Sequence, residues 1–234
     1  MSTTGHAEPA AVPRLLLASA SPYRRALLER LRLPFVWAAP EVDETPAPGE
    51  APLALCRRLA LAKATALAPR YPCHLIIGSD QVAVCDGVLH GKPGSAAAAI
   101  AQLTAAAGRR VRFLTALALL DSASGRSTLE VVPCDVVFRP LNAAQIAAYV
   151  AAEAPLDCAG SFKAEALGIA LIERLECVDP TALTGLPLIA LCGLLARAGL
   201  EVLTSAAAGV SPGGCSARGE RAQETHAAAA QDPL

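Results

Sequence analysis

The sequence predicts an α/β protein built on a mixed sheet, and three stretches predict it. Residues 14–32 pass from a buried apolar strand through Ser19-Ala20-Ser21-Pro22 into an amphipathic helix. Residues 74–82 form a second buried run with β-branched residues, which reads as stopping at Gly78-Ser79 and delivering Asp80 and Gln81 to the carboxyl edge of a sheet. Residues 110–121 and 128–139 read as two strands joined by Ser122-Ala123-Ser124-Gly125, an antiparallel hairpin. A chain of 234 residues has room for one large domain or two small lobes sharing a cleft. In open α/β sheets ligands bind outside the strand ends, which makes Asp80 the first residue to watch.

Each element follows in order. Residues 1–13 are polar and aperiodic, and read as a flexible tail. After the strand at 14–18, Ser21 caps a helix with Pro22 at its first position and Leu27, Leu28 and Leu31 on one face. Arg24 and Arg25 stand in its first turn, where cations oppose the helix dipole unless an anion is near. A strand at 35–39 runs into Pro40-Glu41-Val42-Asp43-Glu44, which is either a metal edge or a solvated loop. Residues 52–67 form a long amphipathic helix carrying Lys63. Asp86-Gly87 makes a tight hairpin that leads to Gly91-Lys92-Pro93. Ser95 caps an Ala-rich helix that Gly108 ends, and Asn142 caps a helix over 143–152. In the small-residue loop 157–165, an extended backbone would put Lys163 and Glu165 on one side. Residues 168–172 read as a strand, the last helix runs from Pro187 to near Gly199, and 204–234 reads as a disordered tail. The domain therefore spans 14–203.

Composition narrows the function. Net charge is −1, so no polybasic surface points to nucleic acid or an anionic membrane. The longest apolar run, 186–196, is shorter than the ~20 residues that span a bilayer and contains Pro187 and Gly193. The eight cysteines include no C-x-x-C pair, which argues against zinc and a disulfide framework and for reduced thiols in a cytoplasm. The chain has three lysines, Lys63, Lys92 and Lys163, each beside a candidate cleft segment, while every other cation is arginine. With Arg24, Glu41 and Asp80 they make an inventory suited to hydrolysing a nucleoside triphosphate: carboxylates for a divalent metal, cations for phosphates, one carboxylate to activate water.

The segments Leu-Leu-Ala-Ser-Ala-Ser-Pro-Tyr-Arg-Arg at 16–25, Ala-Pro-Glu-Val-Asp-Glu at 39–44, Ile-Gly-Ser-Asp-Gln-Val at 77–82 and Cys-Ala-Gly-Ser-Phe at 158–162 resemble the Maf family of nucleotide pyrophosphatases. The similarity spans roughly 14–203 and is closest to the 7-methyl-GTP pyrophosphatase branch. It implies a two-lobed mixed-sheet fold like that of inosine-triphosphate pyrophosphatases, with the ligand cleft between the lobes, often as a homodimer. It also implies cleavage between the α and β phosphates with Mg²⁺ or Mn²⁺. By this resemblance Asp80 is the proton acceptor, Glu41 and Asp80 hold the metal, and Ser21, Arg24, Lys63, Lys92 and Lys163 bind phosphate.

Tyr23, Gln81 and Glu165 fall on the positions that separate the branches. The dTTP/UTP branch has Arg, Thr and Gln there; the methyl-GTP branch often has Trp at the first. An aromatic face attracts the cationic N7-methylated base by about 0.5–2 kcal/mol, and a carboxylate accepts its N1 and N2 protons. The alternatives are a dTTP/UTP or broader non-standard triphosphate pyrophosphatase, and a nucleotide-binding cell-division regulator with incidental hydrolysis.

Overall fold

Leu15, Leu16 and Leu17 are all buried, as a strand covered on both faces requires. They form β1 (Arg14–Ala18) in the computed structural model, which describes residues 13–207. β2 (Phe35–Ala38) and the first part of β3 (His74–Cys85) flank β1 in parallel. The remainder is antiparallel: β3 pairs with β5 (Arg110–Asp121), β5 with β6 (Ser127–Phe138), and β6 with β7 (Ile172–Cys177). β4 (Val88–His90) folds back on β3 through the Asp86-Gly87 turn, where both residues have positive φ. The expected α/β architecture on a mixed sheet is thus present, in the order β2-β1-β3-β5-β6-β7.

β3 corrects one expectation. It does not stop at Gly78-Ser79 but continues to Cys85, because Ser79, Asp80 and Gln81 pair with Leu117, Ala116 and Thr115 of β5. Asp80 is therefore in mid-strand. The strand edge beside it is open, for β1 ends opposite Gly78 and β4 pairs only with Ala83 to Cys85. Along that edge residues 79–82 have no neighbouring strand, so a notch opens where the parallel part of the sheet gives way to the antiparallel part.

Strand alternation sorts the side chains of β3. Ile76, Gly78, Asp80 and Val82 face α2 (Pro52–Leu67), whose buried stripe is Leu55, Cys56, Leu59, Ala60, Lys63, Ala64 and Leu67. A Cβ on Gly78 would lie 2.1 Å from the Ala60 carbonyl, so only glycine lets α2 approach this closely. On the other face are two apolar clusters. One joins Leu75, Ile77 and Leu117 to α1 (Pro22–Glu29) and α5 (Leu188–Arg197); the other joins Ala83 and Phe113 to α3 (Ala96–Ala106) and α4 (Ala143–Glu153). Ser79, Gln81 and Thr115 lie between them as a polar band.

The expected caps are present: Ser21, Ser95 and Asn142 each accept a backbone N–H, Asn142 in a reciprocal capping box with Gln145. Residues 168–172 differ from expectation: Leu167–Leu171 is a 3-10 helix, and the strand is the charged Ile172–Cys177 that follows. That strand closes the sheet edge with most of its side chains exposed, so it carries no apolar signature. α6 (Val202–Ala207) runs past the expected domain boundary at 203. The rest of the expected C-terminal tail, and residues 1–12 of the N-terminal one, lie outside the described residues.

Candidate active site

Lys63 enters the site because it occupies the apolar stripe of α2, which carries its stem inward and leaves the residue 6% exposed. Its ammonium meets the Asp80 carboxylate at 2.7 Å and the Glu44 carboxylate at 2.6 Å. The other Glu44 oxygen accepts from Lys92 at 3.0 Å, with Lys92 itself exposed. Arg24, half-buried on α1, adds a third cation that feels both Asp80 and Glu44. Three cations against two carboxylates leave the cluster with excess positive charge beside the β3 notch.

The electrostatics follow from burial and pairing. Burial raises the Asp80 carboxyl above the ordinary range, against the opposing pull of Lys63 and Arg24. Burial works in the same direction on Glu44, but the hydrogen bonds and charges of Lys63 and Lys92 outweigh it and bring its pKa down to about 2. Burial also lowers the Arg24 guanidinium, partly offset by Asp80 and Glu44. Asp80 thus has the higher proton affinity of the two acids.

Glu44, not Glu41, joins Asp80 and the lysines. Glu41 is exposed and makes no hydrogen bond or ion pair among the described residues. Val42 packs against the apolar cluster beneath α2, and Glu44, two residues on, turns the same way. That parity is the signal that could have distinguished the two acids in the sequence.

Ser21 spends its hydroxyl on the Arg24 N–H as the cap of α1, so it sits at the helix entrance. Lys163 is placed apart from the phosphate-type cluster: its ammonium donates to the Glu153 carbonyl at 2.8 Å, at the end of α4, and adjoins the Tyr23 hydroxyl. Glu165 lies near Lys163, Asp157 and Glu153, and burial raises its carboxyl. The backbone there turns at 164–166, so the expected extended arrangement of Lys163 and Glu165 is replaced by a bend closed by Ala166 N–H on the Lys163 carbonyl. Tyr23, Lys163 and Glu165 form a second group.

Gln81 faces away from Asp80. Its amide NH₂ lies 2.8 Å from the Ala182 carbonyl, 3.1 Å from the Leu183 carbonyl and 2.9 Å from the Thr115 hydroxyl. The sequence reading missed the segment it holds, the 3-10 turn Pro180–Thr184 and Gly185 after it. The Gly185 carbonyl accepts from the Arg24 Nε–H at 2.9 Å and from the buried Ser79 hydroxyl at 2.8 Å. A separate groove of about 670 Å³ between α1, α5 and α6 contains none of these residues.

No group of three or more His, Cys, Asp or Glu side chains that could hold a metal ion occurs among the described residues. Asp80 and Glu44 nevertheless converge on one cation, the Lys63 ammonium, as a pair of hard oxygen donors. No helix among the described residues is long and apolar enough to cross a membrane.

Comparison with known proteins places the chain in a family. The 7-methyl-GTP pyrophosphatase of Chromohalobacter salexigens is 58% identical over 190 residues, covering 81% of this chain and 98% of that protein. The solved structure of the Staphylococcus aureus Ham1 protein is similar over 54% of this chain and 72% of that one, with 15% identity and a TM-score of 0.41. A family model described as Maf-like protein matches residues 14–198, which include every residue of both groups. The chain belongs to the Maf-like family.

Proposed function

We propose that the protein hydrolyses 7-methyl-GTP to 7-methyl-GMP and diphosphate, removing a modified nucleotide from the pool. The observation that carries this reading is the buried Asp80 carboxylate, held at the notch by Lys63 with Arg24 and Lys92 nearby. Asp80 takes a proton from the water that attacks the α-phosphorus. The bond from that phosphorus to the α–β bridging oxygen breaks, and diphosphate leaves with the bond's electron pair. Arg24, Lys63 and Lys92 stabilise the charge that develops on it.

The donor set fits a divalent cation, Mg²⁺ or Mn²⁺. Asp80 and Glu44 would hold it, with phosphate oxygens and water supplying the remaining ligands, as is usual for Mg²⁺. Such an ion supplies Lewis-acid polarisation of the phosphate chain. Glu44 replaces Glu41 in this role because it alone faces Asp80 through Lys63.

The base preference is supported by the sign of the second group. Glu165, Asp157 and Glu153 outnumber Lys163 there, so the second group is acidic where the cluster of Arg24, Lys63 and Lys92 is basic. A triphosphate with a positively charged methylated base has the complementary polarity. Tyr23 offers the aromatic face and Glu165 the acceptor for base N–H groups. The Gln81 NH₂ holds the 180–185 turn, and its carbonyl oxygen accepts from no described residue. The reading includes a homodimer and a cytoplasmic setting; the free thiols of Cys56, Cys85, Cys134, Cys158, Cys177 and Cys192 support a reducing compartment.

The test is diphosphate release by the purified protein with Mg²⁺ or Mn²⁺ from 7-methyl-GTP, GTP, UTP and dTTP. Preference for 7-methyl-GTP is expected, with Asp80→Asn lowering turnover about 10²–10⁴-fold. Preference for UTP or dTTP would overturn the base assignment, and unchanged turnover in the Asp80 variant would overturn the mechanism.

A further inference from the structure

We propose that Gly185 is the positioning residue for Arg24, and that the polar band of β3 and β5 exists to hold the turn that carries it. The inference rests on Arg24 being a phosphate ligand and says how the fold aims it. An arginine on a short surface helix has several rotamers of similar energy, so a defined grip on a phosphate needs an anchor. The anchor here is one backbone carbonyl. Arg24 spends its Nε–H on Gly185 O at 2.9 Å, and its two NH₂ groups hydrogen-bond to no described residue. Those are the paired donors a phosphate takes.

The anchor is itself fixed from three sides. The Ser79 hydroxyl, fully buried, faces both Gly185 O at 2.8 Å and Ala116 O at 2.9 Å. Gln81 and Thr115 hold the carbonyls just before it, with Thr115 Oγ1 donating to Ala182 O at 2.8 Å. Asp179, 2% exposed, ties the two ends of the segment together by accepting from Thr181 N–H and from Ile189 N–H in α5. Gly185 has φ +101°, and a Cβ there would stand 3.1 Å from Arg24 Nε. Any side chain at this position would strain the turn and crowd the guanidinium at its anchor. Ser79 and Gln81 thus act next to Asp80 in sequence but on the opposite face of β3, coupling the strand that bears the acid to the cation that grips the phosphate.

The experiment is a pair of double-mutant cycles on kcat/KM for the triphosphate: Gly185→Ala and Ser79→Ala, each alone and together with Arg24→Ala, with thermal melting of every variant. Gly185→Ala is expected to lower kcat/KM roughly tenfold and Ser79→Ala by about threefold, the range for the loss of an ordinary intramolecular hydrogen bond. Both losses are expected to shrink below twofold once Arg24 is alanine, because nothing remains to be positioned. Losses that multiply with that of Arg24→Ala would overturn the proposal and leave Gly185 a purely structural glycine. Should Gly185→Ala fail to fold, the Ser79 cycle decides alone, since removal of one hydroxyl leaves the backbone unstrained. Arg24→Ala with undiminished diphosphate release would instead refute the phosphate role on which the proposal stands.

Discussion

Lys63→Met tests the centre of the site. Methionine replaces most of the aliphatic stem along the α2 stripe, so little cavity forms and the change is chiefly the loss of one buried charge. The ammonium lies 2.7 Å from Asp80 and 2.6 Å from Glu44, and its removal leaves Asp80 buried without its ion-pair partner. Breaking a buried pair from one side costs about 3–5 kcal/mol. Glu44 keeps Lys92 and is substantially exposed, so the lower end applies, about 3 kcal/mol. For a domain of this size that is a fall in Tm of about 6–12 °C near pH 8. The pH dependence has a definite sign. Burial already raises Asp80 in the folded state, and losing Lys63 raises it further. An acid with a raised folded pKa binds its proton more tightly when folded, so the variant loses stability as pH rises from the ordinary carboxylate range through that raised value. The Glu44 contribution, full above its ordinary 4.5 and lost on acidification toward about 2, changes the difference in the same direction. The deficit of Lys63→Met should therefore be large at pH 8 and shrink toward pH 4. Asp80→Asn in the Lys63→Met background should restore most of the Tm while turnover stays lost. Melting curves by circular dichroism from pH 4 to 8.5 on the parent and these two variants decide it. A deficit under about 1 kcal/mol at pH 8, or one that does not shrink on acidification, would refute the buried-pair account.

Two other predictions separate residues that the sequence leaves equivalent or silent. Glu44→Gln should reduce turnover at least tenfold and raise the Mg²⁺ concentration for half-maximal rate, whereas Glu41→Gln should leave both within twofold; titrating the rate with Mg²⁺ checks both, and the reverse ranking would restore Glu41 as the metal-side acid. Gly78→Ala forces a methyl to 2.1 Å from the Ala60 carbonyl, so α2 must move away from β3. The overpacking cost is about 1–3 kcal/mol or more, and activity should fall as well because Lys63 travels with α2. A melting curve and turnover equal to the parent's would show that the helix tolerates the shift.

What was legible in the sequence divides along physical lines. α2 could be read to its ends because it has a 3.6-residue apolar period, and Lys63 falls on that stripe at the step after Leu59 and Ala60. A lysine there must either snorkel out or find a buried acid, and the structure takes the second course with Asp80. β3 was cut short because Ser79, Asp80 and Gln81 look like a turn. Their polarity is compatible with a central strand only when partners satisfy it: Ala116 and Gly185 carbonyls for Ser79, Lys63 for Asp80, and the 182–183 carbonyls for Gln81. β7 was missed for the complementary reason. An edge strand with exposed sides needs charge rather than alternation, and Ile172–Cys177 offers Glu173, Arg174 and Glu176 in place of an apolar pattern. The turn at 180–185 left no signal tied to Arg24, since the partner of that guanidinium is a main-chain carbonyl 161 residues away. A backbone acceptor has no residue type to recognise. Candidate side chains can thus be nominated from the sequence, while the carbonyls that hold them emerge only once the chain is folded.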